Sequence, residues 1–326
     1  MSRTRTIAYF LLASVFFGGT FVAARAGQAY IPPLLFVAIR FDLAAILLLA
    51  YAYHTAIGDE FVPRTRGDLV GIVAAGVLTI GLANALLFVG QGYVTSAVGA
   101  IAFSLVPIFS PVLAAVLLSD ERLSPVGAVG SLVGLAGVGM VVGIDPGNLL
   151  ATLEGGAVIV LIGAFSAALG AVLIRRSPST ISSTARVAWG LPLSALLLHG
   201  MSAAAGESVA AIEWTTTAIV SLAYVTVFAG ALAYIAYFAL LEDVGVIHSS
   251  LTFYASPIVA ALGGWLFLGE SITAVTVAGF ATIVLGFAVL GHETLLPALR
   301  RLGSRRLGIP ASSEDGHSGG FECKSD

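Results

Sequence analysis

Polar residues are sparse along this chain and fall between ten apolar stretches rather than alternating within them. The stretches cover 7–24, 33–53, 69–90, 98–118, 125–143, 155–174, 187–205, 216–241, 244–268 and 272–291. A helix that crosses a bilayer takes about 20 predominantly apolar residues, so each stretch predicts one span. Backbone in lipid has no water to bond to, which makes these spans helices. The period-two alternation of a membrane β-barrel is absent from the pattern. The expected fold is an all-α polytopic membrane protein with ten transmembrane helices.

Composition agrees with that pattern. Of 326 residues, 58% are hydrophobic and 10% charged, against about 25% charged in soluble domains. The one cysteine, Cys323, rules out an intrachain disulfide and a cysteine metal cluster. The net charge of −3 says little, because the basic residues are sorted by side. With the N-terminus placed inside, the inner segments carry Arg3, Arg5, Arg64, Arg66, Arg122, Arg175, Arg176, Arg186, Arg300, Arg301, Arg305, Arg306 and Lys324. The outer loops carry Arg25, and Arg40 lies within a span. This asymmetry predicts cytoplasmic termini and an even number of helices in the cell membrane. Arg3, Arg5, the first apolar run and Ala24-Arg25-Ala26 also resemble a cleavable signal peptide. Cleavage would destroy the repeat described next, which favours an uncleaved first helix.

Residues 88–107 align without a gap on 238–257 at a shift of 150, bringing Phe103 onto Phe253 and Pro107 onto Pro257. After one extra residue in the first half, Glu121 meets Glu270, Gly130 meets Gly279 and Gly137 meets Gly286. Five helices per half invert the second half in the membrane. Matched interrupted helices in inverted repeats point to a binding site near the bilayer midplane. Each proline removes a backbone hydrogen bond, so Pro107 and Pro257 are candidate hinges; static kinks are the alternative.

These residues resemble the EamA-type members of the drug/metabolite transporter superfamily. The resemblance covers 7–143 and 155–291 and rests on Phe17-Gly18-Gly19-Thr20, Phe36 through Ala45, Pro107 through Ser124, Gly163 through Arg175 and Pro257 through Thr273. It implies secondary transport, often export of metabolites, amino acids or toxic compounds, with a central cavity between the halves. Residues 292–326 are expected to form a disordered cytoplasmic tail.

Ionisable groups within a membrane are costly and tend to face a cavity or a partner. Arg40 and Asp42 lie about 200° apart on one helix and need separate partners. Burial would favour a protonated Asp42 and make it a proton-coupling candidate; a structural carboxylate is the alternative. Arg40 is an anchor or a substrate-anion contact. Asn84 and Gln91 share a face of the third helix and are candidate cavity liners or interhelical glue. Tyr234, Tyr237 and Tyr254 are further candidates for a cavity wall. His199 and His248 read as packing or hydrogen-bonding residues. Glu121 and Glu270 read as caps for the helices that follow them. Gly130/Gly134 and Gly139/Gly143 have the spacing for close helix packing, within one chain or in a homodimer.

No Walker loop is present, and no Ser-His-Asp or HExxH signature. The expected partners are a small-molecule substrate, the lipid bilayer and coupling protons or other ions, with no cofactor, no metal and no nucleic acid. A membrane enzyme acting on lipid-linked substrates, a receptor or scaffold, and an importer of the same fold are the rival readings.

Overall fold

The computed structural model describes residues 3–55, 61–118, 125–142, 155–233, 236, 252 and 255–290. The predicted tail, Tyr234, Tyr237, Tyr254, His248, Glu121 and Gly143 lie outside these residues. The described chain is all-helical. α1 is Arg3–Gly27 and α2 is Pro33–Thr55. α3 is built from Arg66–Val73, Ala74–Leu82 and Ala83–Gln91. α4 is built from Ser96–Phe103 and Val106–Leu117. α5 is Pro125–Val142, α6 is Gly156–Arg176 and α7 is Ser183–Ala204. α8 joins Thr216–Ala223 to Tyr224–Leu232. α9 is Ala255–Leu268 and α10 is Ala274–Leu290. By length and apolarity α1, α2, α3, α4, α6 and α7 qualify as membrane spans, and the described parts of α5, α8, α9 and α10 are shorter apolar helices.

Local chemistry sets where these helices begin. Thr65 and Asp68 form a reciprocal capping box at the start of α3. The hydroxyls of Thr95, Ser182 and Thr215 accept backbone N–H groups at the starts of α4, α7 and α8. Each cap satisfies a donor that the first helical turn cannot pair internally.

The two halves interleave. α2 packs on α7, α5 on α10, α3 on α6 and α7, and α1 on α8. α2–α7 and α5–α10 each join a helix to its counterpart in the other half. Glycines make the second contact close: Gly137 lies against the backbone of Gly279, and Gly286 against Gly130 and Gly134. The two contacts are related by the repeat. The Gly130/Gly134 spacing is therefore used inside the chain. The main core gathers Phe36, Phe88, Val160, Leu198 and Val225 from five helices, with Ile31 from the turn before α2. Phe36 meets Phe88 edge-on at 5.6 Å.

Two of the helices depart from α geometry at the same place. Ala74–Leu82 in α3 and Tyr224–Leu232 in α8 are both nine-residue π segments, and a shift of 150 superposes their limits. α4 breaks at Ser104 and Leu105. Pro107 follows the break, in the first turn of the new helix, where a missing N–H costs nothing. The Ser104 hydroxyl donates to Ile101 O at 2.7 Å and covers one carbonyl at the break. Pro257 is buried within α9.

Candidate functional site

Carboxylates of one half hold helix starts of the other. Asp68 is fully buried and accepts from the backbone of Arg64, Thr65, Thr180 and Ile181 and from the hydroxyls of Ser179 and Thr180. It thereby ties α3 to the loop that leads into α7. Glu207, after α7, accepts from Leu34 N and Leu35 N at 3.1 and 2.9 Å and from the Ser202 hydroxyl. It caps α2, whose first residue is proline. Glu270, between α9 and α10, accepts from Ser96 N at 2.9 and 3.1 Å and from Ser96 Oγ at 3.2 Å. The helix that Glu270 caps is therefore α4, 174 residues earlier, and not the following helix that its neighbours in sequence suggest. A carboxylate at a helix N-terminus takes unpaired donors and meets the positive end of the dipole.

Arg25 completes the arrangement around Glu270. Its Nη1 donates to the carbonyls of Gln91 and Gly92 at the end of α3, and its Nε lies 4.0 Å from Glu270 Oε1. Gln91 is fully buried and donates to Phe21 O at 2.6 Å. Gln28 Nε2 donates to Phe88 O at 2.9 Å. Both glutamine side-chain oxygens are buried without a hydrogen-bond partner. Beside this network is a cavity of about 360 Å³ lined by Arg25, Ala26, Ala29, Tyr30, Thr217, Leu268 and Glu270. It brings one cation, one anion and a phenol ring together at the end of the bundle where α1 and α3 finish.

The residues singled out from sequence lie elsewhere. Arg40 is buried, with its guanidinium 5.2 Å from the Phe41 ring centre. Asp42 is half-exposed rather than buried and bonds His199 Nε2 at 2.8 Å across the α2–α7 contact. Asn84 donates to Ile80 O of its own helix. Gln91 does not open onto a vestibule; it fastens α3 to α1. Pro107 stands beside the α4 break. Sequence reasoning missed Gln28, Tyr30 and Glu207, and took Arg25 as a loop charge only. The spacing Arg25–Gln28 on one helical face was a signal. Among the described residues, no group of three or more His, Cys, Asp or Glu side chains is placed to hold a metal.

Comparison with known proteins fits this duplicated architecture. The EamA-like transporter family pattern matches residues 4–143 and again 154–291. The chain belongs to the EamA-like transporter family. It is similar to the uncharacterized transporter YvbV of Bacillus subtilis, 28% identical over 300 residues, covering 90% of this chain and 94% of that one. It also resembles the uncharacterized inner membrane transporter YedA of Escherichia coli K12, 28% identical over 277 residues, covering 85% and 86%. A transporter of Archaeoglobus fulgidus is 25% identical over 284 residues, covering 86% and 96%. One solved crystal structure superposes with a TM-score of 0.56 at 19% identity, covering 92% of this chain and 99% of that one; the likeness is one of fold. As an EamA-family member of the drug/metabolite transporter superfamily, the chain is a multi-pass membrane protein of transporter type.

Proposed function

We propose that this protein is a secondary transporter that exports a small metabolite, amino acid or drug-like compound across the cytoplasmic membrane by alternating access, with both termini in the cytoplasm. The observation that carries this reading is the pair of π segments at matched positions, 74–82 and 224–232. A π segment loosens the regular ladder of a helix and recurs at functional sites. Two of them on equivalent helices of inverted repeats give each half a bending point at the same depth. The break before Pro107 supplies a further one in α4.

In this reading the Arg25 end is external and closed. Opening it separates Ser96 from Glu270 and the end of α3 from Arg25. Glu270 borders the cavity, and its side chain is 12% exposed. Asp68 has no exposed surface at all. Glu270 is thus the releasable latch and Asp68 a fixed tie.

The test compares metabolites in the medium of cells producing the wild type, Pro107→Ala or Glu270→Gln at equal abundance. Outward accumulation of one compound class, lost in the variants, is the expected result. Equal media from producing and non-producing cells, with faster uptake of labelled compounds in producing cells, would replace export by import.

A further inference from the structure

We infer that the groove between the starts of α3 and α7 binds the phosphate head of an anionic phospholipid, with Arg186 as its direct ligand. The inference goes beyond the transport reading. It takes one thing from that reading, that this end of the bundle faces the cytoplasmic leaflet.

Arg186 stands at the start of α7, and its side chain lies across α3: a Cβ at Gly71 would stand 3.2 Å from Arg186 Nε. Nε is buried without a hydrogen-bond partner, while the two Nη atoms reach the surface unbonded. Among the described residues the guanidinium has no ion pair. The one described carboxylate at this end is Asp68, and its oxygens are taken by donors of its own helix start and of residues 179–181. Both α3 and α7 begin here, so Arg186 also meets the positive ends of two helix dipoles. A partly buried cation in such a place has no internal compensation. With Nε left without a bond, the side chain is held for what its two Nη atoms meet. That fork matches two oxygens of a phosphate.

Two further arginines without side-chain partners among the described residues flank the groove. Arg66 opens α3, five residues before Gly71, and Arg176 closes α6. Two residues after Arg176, the carbonyl of Pro178 lies against Gly67, the neighbour of Arg66. Both arginines are exposed and add to the field around Arg186.

The surroundings select a lipid over a soluble anion. Arg66 heads an exposed stripe of α3 that continues with Leu69, Val70 and Val73 at helical spacing. On α7, Trp189 is one turn beyond Arg186 and is exposed. Its indole donates to Phe61 O at 3.0 Å, and its ring meets Phe61 at 5.6 Å. Tryptophans of membrane proteins gather at headgroup level. Charge at the helix starts thus passes directly into apolar surface, which suits an amphiphile with its phosphate on Arg186 and its acyl chains along the helices. Basic pockets between membrane helices on the cytoplasmic side take such head groups.

Native mass spectrometry of the delipidated full-length protein in detergent tests the site, with dioleoyl phosphatidylglycerol or dioleoyl phosphatidylcholine added. One phosphatidylglycerol per chain should be held about tenfold more tightly than phosphatidylcholine. Arg186→Gln should weaken it about tenfold, and Arg66→Gln and Arg176→Gln about fivefold each. Arg5→Gln, which alters an arginine of α1 bonded to Tyr9, should leave it unchanged. If Arg186→Gln does not fold, the double variant of the exposed Arg66 and Arg176 decides in its place. Equal retention of the two lipids overturns the site. Equal losses in Arg5→Gln and in the groove variants do so too, since binding then follows total charge. Full displacement of the lipid by millimolar glycerol 3-phosphate or inorganic phosphate overturns the lipid assignment, since the acyl chains then contribute nothing. None of these readouts requires transport, so the site is judged apart from the export reading.

Discussion

α3 and α8 are the same helix of the repeat, and each carries its π segment between matched residues, yet they are supported in opposite ways. α3 starts on Asp68, which collects donors from both halves; the matched position in α8 is Ala218. Inside the π segment of α3, Ser194 and Ser166 of the second half donate to Gly76 O and Leu78 O. Gly76 also touches the backbone of Gly190. In α8 the counterpart of Gly76 is Thr226, whose hydroxyl has no partner. Its π segment leans on α1 through the Tyr224 phenol and the Phe228 ring. One irregular helix is thus sealed by the protein around it, and the other keeps polar capacity unused. Identical backbone irregularity can serve a fixed scaffold in one half and a working element in the other.

The largest effect expected from breaking this contrast is at Asp68. Asp68→Ala strands buried donors on two loops at once and should destabilise the protein by about 3 kcal/mol or more, read as thermal unfolding of the purified protein in detergent. Ala218→Asp in α8 finds no such nest and should not stabilise it. Next comes Gly76→Ala. Its new Cβ would stand 2.6 Å from Gly190 O, a backbone atom that cannot step aside. A loss of about 2 kcal/mol is expected, in the range for overpacking. The matched Thr226→Ala should lose far less, and equal losses at both positions would erase the proposed difference between the helices. Ser166→Ala comes third, giving up one bond to Leu78 O. Hydrogen bonds within membranes average about 0.6 kcal/mol in such tests, so the same unfolding measurement should register a shift of that order.

Much of this architecture was legible along the chain. Apolar runs marked the helices, and the 150-residue shift that aligned Pro107 with Pro257 also aligns the π segments. Gly130, Gly137, Gly279 and Gly286 were in step in sequence and meet in the α5–α10 contact. The π segments themselves were not legible. Ala74-Ala75-Gly76 and Tyr224-Val225-Thr226 share no residue, because the irregularity is fixed by packing between helices and not by local propensity. The carboxylate ties were hidden for a related reason. Asp68, Glu207 and Glu270 find partners 111 to 174 residues away, and a rule about the next helix in sequence cannot reach them. Asp42 shows the same limit: the separate partner it needs is His199, 157 residues distant, which position along the helix alone could not name.

The smallest expected effect separates the two helices most cleanly. Thr226→Val keeps shape and volume while removing an oxygen that has no partner. In thermal unfolding of the purified protein the substitution should be neutral or slightly stabilising, because an unpaired buried hydroxyl contributes cost without a bond. Ser194→Ala on α7 removes a hydroxyl that is already paired with Gly76 O of the sealed helix, so it should register a loss of about 0.6 kcal/mol in the same measurement. A clear loss at Thr226 would mean that its hydroxyl is paired and α8 is sealed in another way, and the contrast between the two π segments would then be one of packing alone.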